Sequence, residues 1–254
     1  MRNQDRATRA RNFGPRPATI VLRDRTARRA EGALQYCPIP GCGRLPQARA
    51  GKGVSLYYCR YHAQAYNRHG CHWKKTYTAA DLEPYRKAAR SFIKARPHDI
   101  YITHALAWLD ATMRFSGPLE RMVDTYLMKP RDKALAALAR MERRKVPPEQ
   151  LLVNYLAVCC AIEEDPKRAG SETENYRRVQ AAKACARLAA TNLSDDHYPA
   201  HKRRYARSSG LMLVHLGRML ENACGHVQGH HLPAILALAS ETVASRGGRD
   251  AATA

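Results

Sequence analysis

Between Tyr36 and Lys75 the chain has no aspartate or glutamate, although seven basic residues fall there: Arg44, Arg49, Lys52, Arg60, Arg68, Lys74 and Lys75. A module folded from this stretch carries positive charge that nothing local neutralises, and such a surface points to nucleic acid. Other absences narrow the fold. No run of about 18 apolar residues is present to span a bilayer. The opening MRNQDRATRARNF has basic residues but no apolar core of the kind a secretory signal requires. An organellar presequence is disfavoured by Asp5 and Asp24 and by the lack of serine. There is no series of strand-like segments, no repeat of fixed period, no Walker or GxGxxG phosphate loop, and no heptad run long enough for a coiled coil. Phenylalanine occurs only three times, whereas tyrosine and tryptophan crowd one region: Tyr36, Tyr57, Tyr58, Tyr61, Tyr66, Trp73, Tyr77 and Tyr85.

What is present is basic and unevenly so. The formal net charge of +21 lies mostly in the first 96 residues, which hold 21 Arg and Lys against Asp5, Asp24, Glu31, Asp81 and Glu83. The remainder is nearly balanced, so a basic recognition end joined to an ordinary domain is expected. The apolar content of 45% suffices for a helical core. Eight cysteines, five of them outside the metal pattern described below, are most simply accommodated in a reducing compartment. The expectation is a soluble protein of the bacterial cytoplasm or nucleoid.

Cys37, Cys42, Cys59 and His62 form the pattern C-x4-C-x16-C-x2-H. A chelating pair at each end of a short loop is what one tetrahedral zinc needs. Pro38, Pro40, Gly41, Gly43, Pro46, Gly51 and Gly53 break the segment into turns. So short and turn-rich a module cannot order itself by apolar burial, whereas zinc supplies on the order of 10 kcal/mol. The knuckle Cys37–Cys42, a strand-like run Val54–Cys59 and a helix starting at Arg60 predict a treble-clef-like finger.

Five divisions follow from the composition. Residues 1–34 read as a basic disordered arm, with one possible short strand at Ala18–Leu22, and 35–77 as the zinc module. Residues 78–96 read as a basic amphipathic linking helix, 97–244 as an all-helical domain, and 245–254 as a disordered tail. Thr78 with Asp81 makes a capping box, and Leu82, Tyr85, Ala89, Phe92 and Ile93 form one apolar stripe. Arg86, Arg90 and Lys94 run along its flank. Helix breaks are expected at Ser116–Pro118, Lys129–Pro130, Val146–Pro148, Asp165–Gly170 and Ser194–Ala200. The fold class is thus mainly α, a small finger followed by five or six helices.

The stretches Cys37-Pro-Ile-Pro-Gly-Cys42-Gly-Arg44, Tyr58-Cys59-Arg60-Tyr61-His62 and Asn67-Arg68-His69-Gly70 resemble short zinc modules of bacterial phage and mobile-element proteins. The resemblance covers about residues 36–75. Some such proteins are homing-type endonucleases and others small DNA-binding proteins, so it implies a zinc finger and leaves the activity open. This chain differs in its longer loop between Gly43 and Tyr57 and in its helical continuation.

Other constellations are weaker. His69, Cys71 and His72 could replace His62 as ligand or hold a second metal, but C-x2-H gives the closer chelate; with no acidic neighbour before Asp81 they make a poor nuclease site, and they are expected on the module's surface. Glu163, Glu164 and Asp165 read as a helix end, and Asp195, Asp196, His197 and His201 as a capping turn. Cys224, His226, His230 and His231 satisfy zinc's ligand chemistry, but C-x-H is an awkward chelate and no distant partner pair exists. Cys159, Cys160, Cys185 and His215 read as core. The leading expectation is a non-catalytic, zinc-stabilised nucleic-acid-binding protein with one structural zinc. DNA is favoured over RNA, with contacts from Arg44, Lys52, Arg60, Arg68, Lys74, Lys75, Arg86 and Arg90. The helical domain would serve dimerisation or a partner. The alternatives are a metal-dependent endonuclease or its accessory subunit, and a structured-RNA-binding protein.

Overall fold

The structure, a computed structural model, describes residues 36–46, 57–117, 127–189 and 210–251. The basic arm, Lys52, Val54–Leu56 of the expected strand, the loop holding Asp195 to His201, and residues 252–254 lie outside them. The described residues are helical or irregular, without a strand. The chain divides into two compact units, Met1–Gln64 and Ala65–Ala254. The division falls within helix α1 (Arg60–His69), 13 residues before the boundary expected at Tyr77.

The second unit begins with a strap, Ala65 to Tyr77, tied into the helices by hydrogen bonds from side chains of helix α6 (Thr173–Ala186). Asn175 Nδ2 donates to the Gly70 carbonyl (2.8 Å), Gln180 Nε2 to that of His69 (2.7 Å) and Tyr176 Oη to that of Lys75 (2.6 Å). Gly70 ends α1 at φ +81°, and a Cβ there would sit 2.8 Å from the Asn175 carbonyl oxygen. Only glycine allows both the left-handed turn and this approach.

Helix α2 (Ala79–Ala95) starts at the expected capping box. The Thr78 side chain accepts from the Asp81 N–H, and the Asp81 carboxylate accepts from the Thr78 N–H. Leu82, Ala88, Ala89, Phe92 and Ile93 are buried along one stripe. Rather than linking two domains, α2 packs on α5 (Pro148–Glu164) and α7 (Leu211–Ala251), because that stripe faces both. Asp99 caps α3 (Ile100–Arg114) by accepting from the Tyr101 and Ile102 N–H groups. Pro130 and Pro148 open α4 (Pro130–Arg143) and α5, where a missing N–H costs nothing.

Helix α5 is buried without interruption from Leu151 to Ile162. Such all-round burial marks a central helix. Helix α7 packs against each of α2 to α6. At its crossing with α6, Gly217 has no room for a side chain, since a Cβ would stand 2.3 Å from the Arg178 carbonyl oxygen. The helix extends through Ala251, past the tail boundary expected at Ser245. Cys159, Cys160 and Cys185 are buried as expected, while His215 is only half-buried. No helix among the described residues is long and apolar enough to cross a membrane.

Candidate metal centre

In the first unit two short local structures bring four ligand atoms together. The knuckle closes through the Cys42 N–H to the Ile39 carbonyl (3.0 Å) and the Cys37 N–H to the Arg44 carbonyl (2.8 Å). Both thiols are thereby turned to one side. Cys59 precedes α1, and its carbonyl accepts the first helical bond from Ala63 N–H (3.0 Å). His62 follows three residues later on the same helical face.

The four donor atoms lie within 4.8 Å of one another. Cys42 Sγ is 3.7 Å from Cys59 Sγ, and His62 Nδ1 is 3.2 Å from Cys37 Sγ and 3.5 Å from Cys59 Sγ. A tetrahedral ion with ordinary zinc bond lengths would place sulfurs about 3.8 Å apart and nitrogen about 3.5 Å from sulfur. The spacing and the donor types fit a metal ion, and no second group of this kind occurs among the described residues. Burial works against ionising Cys59, but the backbone N–H groups of His62 and Tyr61 point at its sulfur and hold its pKa below the ordinary thiol value. Burial and the neighbouring Cys59 and Cys37 push Cys42 upward. Tyr57 and Tyr58 form a bend, so the expected strand is not seen where it enters the described residues.

The expected cationic contacts separate into two groups. Arg44, Arg60, Arg68 and Lys75 are exposed, and the Arg44 guanidinium lies 5.4 Å from the ring centroid of Tyr61, which is itself exposed, as are Tyr36 and Tyr57. Lys74 is a correction. Only 8% exposed, it pairs with Asp165, bonds the Lys167 carbonyl, and sits among the rings of Trp73, Tyr77 and Tyr176. A cation neutralised in an aromatic recess is unavailable to a phosphate backbone. Arg86 is also withdrawn, its Nε donating to Asn154 Oδ1 at 2.8 Å, and Arg90 lies 3.6 Å from Glu83. Placing two of the row's cations against α5 and Glu83 weakens the basic stripe expected of α2.

Of the three residues expected on the module's surface, His69 and His72 are half-buried. Cys71 is fully buried, and His72 pairs with Glu172, an acid the local sequence does not offer. The other candidate ligands do not converge. Cys224 is buried in the core, which pushes its thiol well up, His226 is exposed, and His230 stacks on Tyr101 with centroids 4.0 Å apart. His231 Nε2 instead lies 2.9 Å from Asp99 Oδ2. All four sit on α7, whose 3.6-residue period puts Cys224 and His231 on one side and His226 and His230 on the other. Glu163, Glu164 and Asp165 do form a helix end, and each is occupied, by Arg168, Tyr85 and Lys74 respectively.

No protein-family model matches the chain, and no curated protein or solved structure does.

Proposed function

We propose that the chain is a zinc-stabilised nucleic-acid-binding protein that acts by binding rather than by cleavage, on DNA in preference to RNA. The observation that carries this reading is the three-thiol, one-imidazole cluster set in a segment with seven cations and no acid. Three sulfurs and a nitrogen in closed tetrahedral spacing suit a structural zinc, and leave no open position for substrate. Around the cluster, exposed Arg44 and Arg60 alternate with exposed Tyr36, Tyr57 and Tyr61. Guanidinium groups engage phosphates while aromatic rings stack on bases or pack against sugars. The kinship with phage and mobile-element zinc modules belongs to this proposal too, resting on the motif alone.

The test is fluorescence anisotropy of the zinc-loaded full chain with duplex DNA, single-stranded DNA and hairpin RNA across a salt series. Binding to duplex DNA should weaken with log salt at about −0.9 per phosphate engaged. Stronger binding to hairpin RNA would move the assignment to RNA, and metal-dependent cleavage of the duplex would contradict the binding-only reading.

A further inference from the structure

On the second unit, away from any carboxylate among the described residues, three cations meet at one corner. Lys183 lies in the last turn of α6, and Arg187 follows it by four residues in the short 3-10 turn Arg187–Ala189, hence on the same face. Arg68 lies on α1 beside His69. Lys183 is half-buried, while both arginines are exposed. Lys183 Nζ donates to Thr76 Oγ1 at 2.7 Å and lies 3.3 Å from His69 Nδ1, and Thr76 Oγ1 is 2.7 Å from the same nitrogen. A consistent set of donors follows. Lysine donates to the hydroxyl, the hydroxyl donates to Nδ1, and the imidazole proton is left on Nε2. Burial first, then Lys183 and Arg68, hold His69 below its ordinary pKa, in keeping with an Nδ1 that accepts.

The charges that face Lys183 here are all positive. The α6 carbonyl ends favour cations nearby, but they carry partial charge and cannot neutralise three. Burial, Arg187 and Arg68 together push the Lys183 ammonium down to about 8. At neutral pH it is still charged, at a cost that a bound anion would offset.

We propose that Arg68, Lys183 and Arg187 form a binding site for one phosphate group, supplied by the nucleic-acid backbone. The identity of the phosphate donor rests on the function proposed above, whereas the site itself does not. Two guanidiniums and an ammonium match the oxygens of a phosphate, and the hydrogen-bond triangle fixes Lys183 before the anion arrives.

Two measurements on the zinc-loaded full chain test this. In the first, the 13Cε signal of Lys183 is followed against pH in chloride and with added inorganic phosphate. The phosphate should raise the Lys183 midpoint by about one unit or more, as a facing anion does. In the second, the salt slope of duplex binding is compared between wild type and Arg68→Gln/Lys183→Gln/Arg187→Gln. The triple variant should flatten the slope by about 0.9, the value for one phosphate. A Lys183→Arg/Arg187→Lys variant, which keeps the charge, should retain most of the slope. An unchanged slope in a folded triple variant would overturn the site while leaving the binding protein intact. Failure of the wild type to bind any nucleic acid would instead overturn the proposed function. The Lys183 titration then decides the site alone, and a midpoint indifferent to phosphate rejects it.

Discussion

Glu172 accepts a hydrogen bond from the backbone N–H of His72 at 3.0 Å and pairs with the imidazole of the same residue, across 100 positions of sequence. The ring of Tyr66 stacks on that imidazole at 4.5 Å between centroids. The strap Ala65 to Tyr77 is therefore fastened to the turn Gly170–Glu172 by a charge-assisted contact. Glu172→Gln keeps the shape but loses the charge. It should cost about 1.5–3 kcal/mol, seen as a lower urea midpoint with an unchanged slope.

Adjacent lysines should behave oppositely. Lys74→Met leaves Asp165 in its recess without its cation and should destabilise the helical unit by about 3 kcal/mol, because the surviving charge is no longer matched. The Tyr77 hydroxyl, which donates to Asp165 at 2.9 Å, limits the loss. Lys75→Gln, at an exposed position, should leave the unfolding free energy within about 0.5 kcal/mol and flatten the salt dependence of nucleic-acid binding. Paired urea and anisotropy measurements check the contrast.

Gly217→Ala should be more damaging than its size suggests. The added methyl meets the backbone of α6 rather than a side chain able to turn aside, so the helices must separate. A loss of about 1–3 kcal/mol is expected, read from thermal or urea unfolding.

Acid should unfold the helical unit through four carboxylates. Burial works against ionising each of them. It is outweighed at Asp165 by Lys74, at Glu172 by Cys71 and the His72 amide, at Glu221 by Arg177 and Arg178, and at Asp99 by the Ile102 amide and His231, so all four pKa values are lowered. A carboxylate lowered on folding contributes fully above its unfolded pKa and loses that contribution as pH falls through the folded value. Stability measured by urea titration should hold down to about pH 5 and drop steeply below about pH 4.

The readable parts of this protein were those specified by neighbours in sequence. A tight knuckle pairs Cys37 with Cys42 and one helical turn pairs Cys59 with His62, and Thr78 with Asp81 caps α2 by the same kind of local contact. Lys74 and His72 could not be placed, because their partners Asp165 and Glu172 arrive from nearly a hundred residues away. Glu163 to Asp165 gave only a helix end until α5 packed beside the strap. The cysteine and histidines of α7 illustrate the converse error. Ligand types close in sequence on one helix are spread around its axis, and Cys224 and His226 are two residues apart on opposite sides. The association of His69 with Thr76 and Lys183 had no sequence signal, since it depends on how α6 meets the strap.

Native mass spectrometry of the purified full chain beside Cys59→Ser decides whether Cys37, Cys42, Cys59 and His62 hold one structural zinc. The wild type should carry one zinc per chain, retained in weak chelator, and the variant none, because losing one thiolate opens the tetrahedron in a module with little core of its own. A wild-type chain that is metal-free at neutral pH, or a Cys59→Ser chain that keeps its zinc, would contradict a structural zinc there.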